Sequence, residues 1–369
     1  MTTPAPNAPV TRVSTLELFF DLVFVFAITQ VSHLFGHAHG AIDFARAFFV
    51  LTVVWWMYGG YAWLTSNVGT VHLLNRVLLL TAMAAFLMIA IRIPTVAGKH
   101  GVAFGLAYVA VVLVHGALFL RAPNSSAHAI LGILPFNLAL AVVVLVSGLV
   151  PEAWNWIPWV GAGAAIAVTS LTRSVGEFHL SPSHFVERHG LVVLIALGES
   201  VVSIGAGAAD VPVGWSLLFA IVLGLALAAA LWWTYFDRDD VRAEHAMARA
   251  SGATRARLAL YAFYYAHLVM IFGIVLAAAG LHAAVAELHE PAEHASPWML
   301  AGGVAAYLLG SVWFHRLLSI GASLPRLIAA GVALGSAFVG VVAGSLAQLA
   351  LVVVALMALL FVEGREVVA

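Results

Sequence analysis

Apolar residues in this chain come in long continuous blocks without two-residue alternation, a pattern that predicts membrane-crossing helices and excludes a β-barrel. A hydrocarbon core about 30 Å thick takes about 20 helical residues to cross. Blocks of that order occupy residues 16–36, 42–65, 73–93, 102–121, 127–149, 155–172, 188–208, 214–236, 257–281, 298–318, 325–344 and 346–363. The stretch 325–363 is nearly unbroken and too long for one crossing, so it divides at "AGSLAQ", residues 343–348. The expected fold is all-α: a polytopic integral membrane protein of about twelve transmembrane helices.

Composition strengthens this picture, with 63% of residues hydrophobic and 9% charged. The absence of cysteine rules out disulfides, thiolate chemistry and Cys-based metal sites. The opening segment "MTTPAPNAPVTRVST" is a polar tail, and no small-residue cleavage site follows it. The block 16–36 therefore reads as a retained first span and not as a signal peptide. Charge then orients the chain. With the N-terminus inside, thirteen of the sixteen Lys and Arg residues fall on the inner side, and Arg46, Arg92 and Lys99 fall outside. Cytoplasmic loops carry such an excess, so both termini are expected in the cytoplasm of a cell whose plasma membrane holds the protein. The charged segment 237–257 is expected to be a solvated, partly helical connector.

An internal repeat is also legible. Trp55, Trp56 and Tyr58 match Trp232, Trp233 and Tyr235 in type and spacing, and "RVLLLTAMAAFLMIA" from Arg76 resembles "RLALYAFYYAHLVMIF" from Arg257. The expected organisation is a cytoplasmic tail at 1–15, a first six-helix half at 16–172, a cytoplasmic linker at 173–186, a second half at 187–363 and a short cytoplasmic tail at 364–369. Six spans per half give two parallel repeats, with any binding site between them.

Ionisable groups inside a span cost at least about 2.5 kcal/mol, so each needs a partner or a task. Glu199 lies about twelve residues, or roughly 18 Å of helical rise, into its span, near the bilayer midplane. Glu17 and Asp21, spaced i, i+4, share one face of the first span. Gln30, Ser200 and Ser203 add polar atoms at depth. Glu199, Asp21, Glu17, Gln30, Ser200 and Ser203 are thus the candidates for substrate binding or ion and proton coupling, with Asp21 and Gln30 expected across from Glu199. Glu187 and Arg188 are candidates for ion pairs that dock the halves, with Glu17 or Asp21 as the partners.

Histidines are numerous, but none of their clusters has a strong metal-site spacing. The weak metal candidates are His184 and His189; His33, His37, His39, His282, His289 and His294 read as loop or surface residues at span ends. His115 and His267 read as helix-to-helix hydrogen-bonding groups. Gly331, Gly335, Gly340 and Gly344 give a small-residue spacing suited to close helix contact. Pro135 is expected to kink its span, with Asn137 satisfying a freed backbone group. No nucleotide or other cofactor motif is present.

"ELFFDLVFVFAITQVSHLF" from Glu17 and "FVERHGLVVLIALGESVVS" from Phe185 resemble the paired signatures of the bacterial low temperature requirement protein A family. Glu17, Phe20, Asp21, Glu187, Arg188, Gly198, Glu199 and Ser200 are the motif positions. The resemblance implies a polytopic membrane protein and no settled biochemical activity. Taken with the repeat and the buried carboxylates, it leads to a secondary transporter or channel-like protein for a small solute or ion. The competing expectations are a membrane-embedded enzyme acting on a lipid or lipid-linked substrate, with His184, Glu187 and His189 at its centre, and a non-catalytic structural or regulatory membrane protein. The expected partners are the lipid bilayer and a small solute or ion, with an oligomer possible and no nucleic acid.

Overall fold

A computed structural model describes residues 13–65, 72–96, 98, 101–121, 124–172, 180–288 and 296–365, with side chains outside 124–131 and 170–172. Among the described residues every regular element is a helix: α1 Thr15–Gly36, α2 Ala41–Thr65, α3 Leu73–Arg92, α4 Gly101–Phe119, α5 Asn124–Ser147, α6 Trp156–Thr172, α7 Pro182–Ala208, α8 Trp215–Phe236, α9 Asp239–Arg249, α10 Gly252–Leu258, α11 His267–Ala286, α12 Ser296–Leu318, α13 Leu324–Ala343 and α14 Ser345–Arg365. Ten of these helical stretches are long and apolar enough to cross a membrane. With their lipid-suited composition they make the chain an integral membrane protein. Helices α5 and α6 occupy the other two expected positions, and α6 has 17 residues.

The stretch 325–363 is divided where the sequence suggested. Gly344, at φ 88°, separates α13 from α14, in a backbone conformation that glycine adopts without a Cβ clash. Successive crossings run antiparallel, so the starts of α1, α7 and α13 and the ends of α2, α8, α12 and α14 share one face. It carries Arg238, Arg242 and Arg255 and is called the arginine-rich face.

Helix α11 is the hub, packing against α1, α2, α7, α8, α12 and α14. It is entered through a π-helical segment, Ala259–Ala266, whose wider turn leaves backbone carbonyls without their usual partners. Side chains take them up. Trp55 Nε1 donates to the Tyr264 carbonyl at 3.0 Å, and His267 Nδ1 lies 2.9 Å from the Ala262 carbonyl. From α1 to α6, α1 packs on α2 and α3, α2 on α6, and α3 to α6 pack in series; from α7 onward, α7 packs on α8 and α11, α8 on α14, and α11 to α14 pack in series.

Four expectations are corrected. The connector 237–257 is not merely solvated: α9 buries Asp239, Ala243 and Met247, and Arg255 binds the carbonyls of Met247, Ala248 and Ala250 at 3.0–3.3 Å, closing the turn into α10. Asn137 does not serve the backbone around Pro135, since its Oδ1 accepts from Trp56 Nε1 at 2.8 Å and ties α5 to α2. His267 bridges helices, with Nε2 2.9 Å from the Tyr235 hydroxyl, but His115 has no hydrogen-bond partner among the described residues and packs edge-on against Phe119. Of Gly331, Gly335, Gly340 and Gly344 only Gly340 packs closely, against Gln348 of α14 and Pro297 of α12; the other three have nothing near them.

Close helix contact falls instead on α11 and α12, where Gly273, Gly280 and Gly303 let the two backbones meet. A Cβ at Gly303 would run into the backbone of Ala277. Gly303→Ala is therefore expected to destabilise the purified protein by about 1–3 kcal/mol through overpacking. Gly331→Ala should be neutral or slightly stabilising, because alanine favours a helix by about 1 kcal/mol. Thermal unfolding of the two variants side by side checks the contrast.

Candidate functional site

Two polar stations lie along the seam between α1 and α7. The first begins at the α1 N-terminus, where Ser14 and Glu17 form a capping box: Ser14 Oγ accepts from the Glu17 N–H, and Glu17 Oε2 accepts from the Ser14 N–H at 2.7 Å. The same carboxylate reaches α7. Its Oε1 lies 3.3 Å from His184 Nε2 and 3.7 Å from Arg188 Nη1. One turn further along α1, Asp21 Oδ1 accepts from Arg188 Nη2 at 3.0 Å and from the Tyr58 hydroxyl of α2 at 2.8 Å. Asp21 and Arg188 are each 1% exposed. This is a fully desolvated ion pair between α1 and α7, which packing alone would not require.

The second station is deeper. Glu199 is buried, its Oε2 accepts from Thr29 Oγ1 at 2.5 Å, and its Oε1 lies 3.4 Å from Ser203 Oγ. Eight residues on α1 and eleven on α7 separate the two stations, about 12 to 16 Å of helical rise. Phe24, Ile28, Val192 and Ala196, all buried and apolar, fill those intervening turns.

Glu199 and Ser203 also line a cavity of 240 Å³. It lies on the face away from the arginines, where α1 and α11 end and α12 begins. Ser32, His33, His37 and His39 come from α1 and the turn after it, His282 and Glu287 from α11 and its end, and Ser296 from α12. Among the described residues no lysine or arginine lines it. The cavity therefore presents carboxylates, hydroxyls and imidazoles, an environment that favours cations and disfavours anions.

The structure separates some residues that the sequence grouped. Asp21 does not face Glu199; it belongs to the first station with Arg188. Gln30 is half-buried and is not the donor to Glu199, because Thr29, about 100° around the helix, takes that position. Ser200 is buried, and its hydroxyl has no hydrogen-bond partner among the described residues. Glu187 is exposed and forms no ion pair among the described residues; its Oε2 accepts from the Val13 N–H at 3.4 Å. His184 turns to Glu17, and His189 Nδ1 to the Phe185 carbonyl at 2.8 Å, so His184, Glu187 and His189 have three different partners. Among the described residues no group of three metal-ligating side chains is placed to hold a metal ion. His179, His289 and His294 lie outside the described residues.

Thr29 was missed because a threonine in an apolar helix carries no charge signal. A second missed group is Asp239, His315, Arg326 and Glu363. Arg326 Nη1 donates to Asp239 Oδ2 at 2.8 Å and Nε to Glu363 Oε1 at 2.7 Å, and His315 Nε2 lies 2.5 Å from Asp239 Oδ2. Each of these residues stands near the end of its helix, where the sequence suggests only solvent.

Residues 12–361 match the sequence pattern of the family described as bacterial low temperature requirement A protein (LtrA). The chain belongs to that family. Both stations, around Glu17 and around Glu199, lie within the matched residues. A relative in Rhizobium meliloti (strain 1021), an uncharacterized protein, is 27% identical over 341 residues, covering 85% of this chain and 79% of the relative.

Proposed function

We propose that this LtrA-family membrane protein is a secondary transporter or channel-like protein for a small cation or cationic solute, with Glu199 as the binding or coupling carboxylate. One observation carries this reading: the 240 Å³ cavity reaches a buried carboxylate at the seam between α1 and the later helices α7, α11 and α12, and among the described residues it has no fixed positive charge. On the other side of Glu199, apolar turns and the Glu17–Asp21–Arg188–Tyr58 cluster close the seam. A site open to one face and sealed by a breakable ion pair toward the other is the arrangement that alternating access needs.

The reading includes twelve crossings in two parallel six-helix halves, with α5 and α6 counted as spans and α11 corresponding to α3. Its support is the matching order of helix neighbours in the two halves and a shared bond: Tyr108 of α4 donates to the Val53 carbonyl of α2, and Tyr307 of α12 to the Leu231 carbonyl of α8. With thirteen of sixteen basic residues on its side, the arginine-rich face is assigned to the cytoplasm, together with both termini. The cavity then opens outward.

Because the chain has no cysteine, Ser203→Cys gives a single reactive thiol in the cavity wall. In proteoliposomes of known orientation, a membrane-impermeant thiol reagent should modify it only from the face where α1 ends, and modification should stop cation flux. Flux no greater than in protein-free liposomes would reject transport, and labelling only from the arginine-rich face would reject the assigned entrance.

A further inference from the structure

A second cavity, of 350 Å³, opens on the arginine-rich face where α8, α12 and α14 end and α9 and α13 begin. Its floor is the missed network of Asp239, His315, Arg326 and Glu363. That floor offers no free cation, for Arg326 is bound by two carboxylates, the Thr234 carbonyl and the Ser311 hydroxyl. Arg238 at the wall is paired with Asp237 at 2.9 Å. Arg242 is different. Among the described residues its guanidinium makes one hydrogen bond, Nη1 to the Ile320 carbonyl at 3.2 Å, and no ion pair, so most of its five donors are free for a ligand.

Three further features point to a ligand. Helix α13 starts at this cavity, and its N-cap Ser323 makes no side-chain capping bond, leaving the positive end of a 20-residue helix to another acceptor. His315, 2% exposed in the cavity wall, has an Nδ1 with no partner among the described residues. At the rim, the Asp237 and Glu363 side chains are 41% and 21% exposed, and each carboxylate keeps acceptor capacity beyond its arginine. Trp233, 52% exposed beside them, places the rim where amphipathic rings sit, at the membrane–water boundary.

The cavity thus offers a free cation and a helix start for an anion, and carboxylates for a cation, at headgroup depth. We propose that it binds the headgroup of an aminophospholipid, with the phosphate on Arg242 and the start of α13 and the primary ammonium on Asp237 and Glu363. A headgroup without an ammonium would set its phosphate against those carboxylates uncompensated. A quaternary ammonium has no N–H to donate to them.

The test is native mass spectrometry of the full chain, released from nanodiscs holding equal amounts of phosphatidylethanolamine, phosphatidylglycerol and phosphatidylcholine. Phosphatidylethanolamine adducts should exceed the other two several-fold, and Arg242→Gln should remove that excess. Because Arg242 also holds the Ile320 carbonyl, Asp237→Asn on the exposed rim is the second variant. It should level phosphatidylethanolamine with phosphatidylcholine while the protein stays folded. Equal adducts in wild type and both variants, or phosphatidylglycerol retained as strongly as phosphatidylethanolamine, would overturn the proposal. Displacement of the bound lipid by millimolar inorganic phosphate, which has no ammonium, would also overturn it, in favour of a soluble anion.

Discussion

Glu199→Gln is expected to reduce cation flux to background while leaving the protein folded. Glutamine has nearly the size of glutamate, and its carbonyl oxygen can still accept the Thr29 hydroxyl that lies 2.5 Å from Glu199. What is lost is the charge. A cation about 4 Å from a carboxylate in a partly buried site gains about 4 kcal/mol at an effective dielectric near 20, and the desolvation of both groups offsets part of this. A net loss of about 2–4 kcal/mol corresponds to roughly 30- to 1,000-fold weaker binding. Flux of a fluorescent-dye-reported cation or proton gradient into proteoliposomes, measured beside thermal unfolding of the same preparation, separates the two roles of this residue. Full flux with Gln at position 199 would show that the carboxylate only ties α1 to α7. Thr29→Val should have a smaller effect, since it removes one hydrogen bond of about 1–3 kcal/mol but leaves the charge.

Arg188→Gln is expected to be the most destabilising single change at the seam, by about 3–5 kcal/mol, because it strands buried carboxylates without their counter-ion. Asp21 is 1% exposed and its Oδ1 is shared by Arg188 and Tyr58, so no water is available to take over. The double variant Asp21→Asn, Arg188→Gln should recover a good part of that loss, since removing both charges of a buried pair costs far less than removing one. Size-exclusion profiles and unfolding temperatures in detergent measure it. If the double variant is as unstable as the single, the pair is not the contact that holds α1 to α7. In the transport reading, the rescued double variant also tests the seal: it should leak cations that the wild type retains.

The sequence was most informative where a single segment carries its own physical demand. Each apolar block has to cross about 30 Å of hydrocarbon, so the helix positions follow from block length alone. The break before α14 followed in the same way, from a stretch too long for one span that contains a glycine. The capping box of Ser14 and Glu17 is local too, three residues apart within one turn, but it was not anticipated from the sequence. Intramembrane carboxylates stood out against their surroundings, and Glu17, Asp21 and Glu199 are all buried and all bonded to another helix.

Most partners were not legible, because they depend on which helix lies opposite and at what rotation. Gln30 was the more polar neighbour, yet Thr29 meets Glu199, a difference of one residue and about 100° that no spacing rule resolves. Glu187 and Arg188 are adjacent in sequence and were both read as docking residues with Glu17 or Asp21 as partners; Arg188 meets both. Rotation puts Arg188 into the seam and leaves Glu187 exposed. Glycines show the same split: those at 331 and 335 have the spacing of a helix contact and meet nothing, while Gly273 and Gly303, on separate helices, meet each other's neighbours.

By itself, then, the sequence determined that this is an all-helical integral membrane protein of the LtrA type, where its helices lie, and which carboxylates had to find partners in the membrane. The tertiary structure alone decided what those partners are. It drew Asp239, His315, Arg326 and Glu363 into one network through bonds that span as many as 87 residues of chain, and it placed Glu199 at the foot of a cavity walled by four helices. Burial and length act within one segment and can be read along it. The pairing of buried charges is set between segments, by packing that brings distant turns face to face.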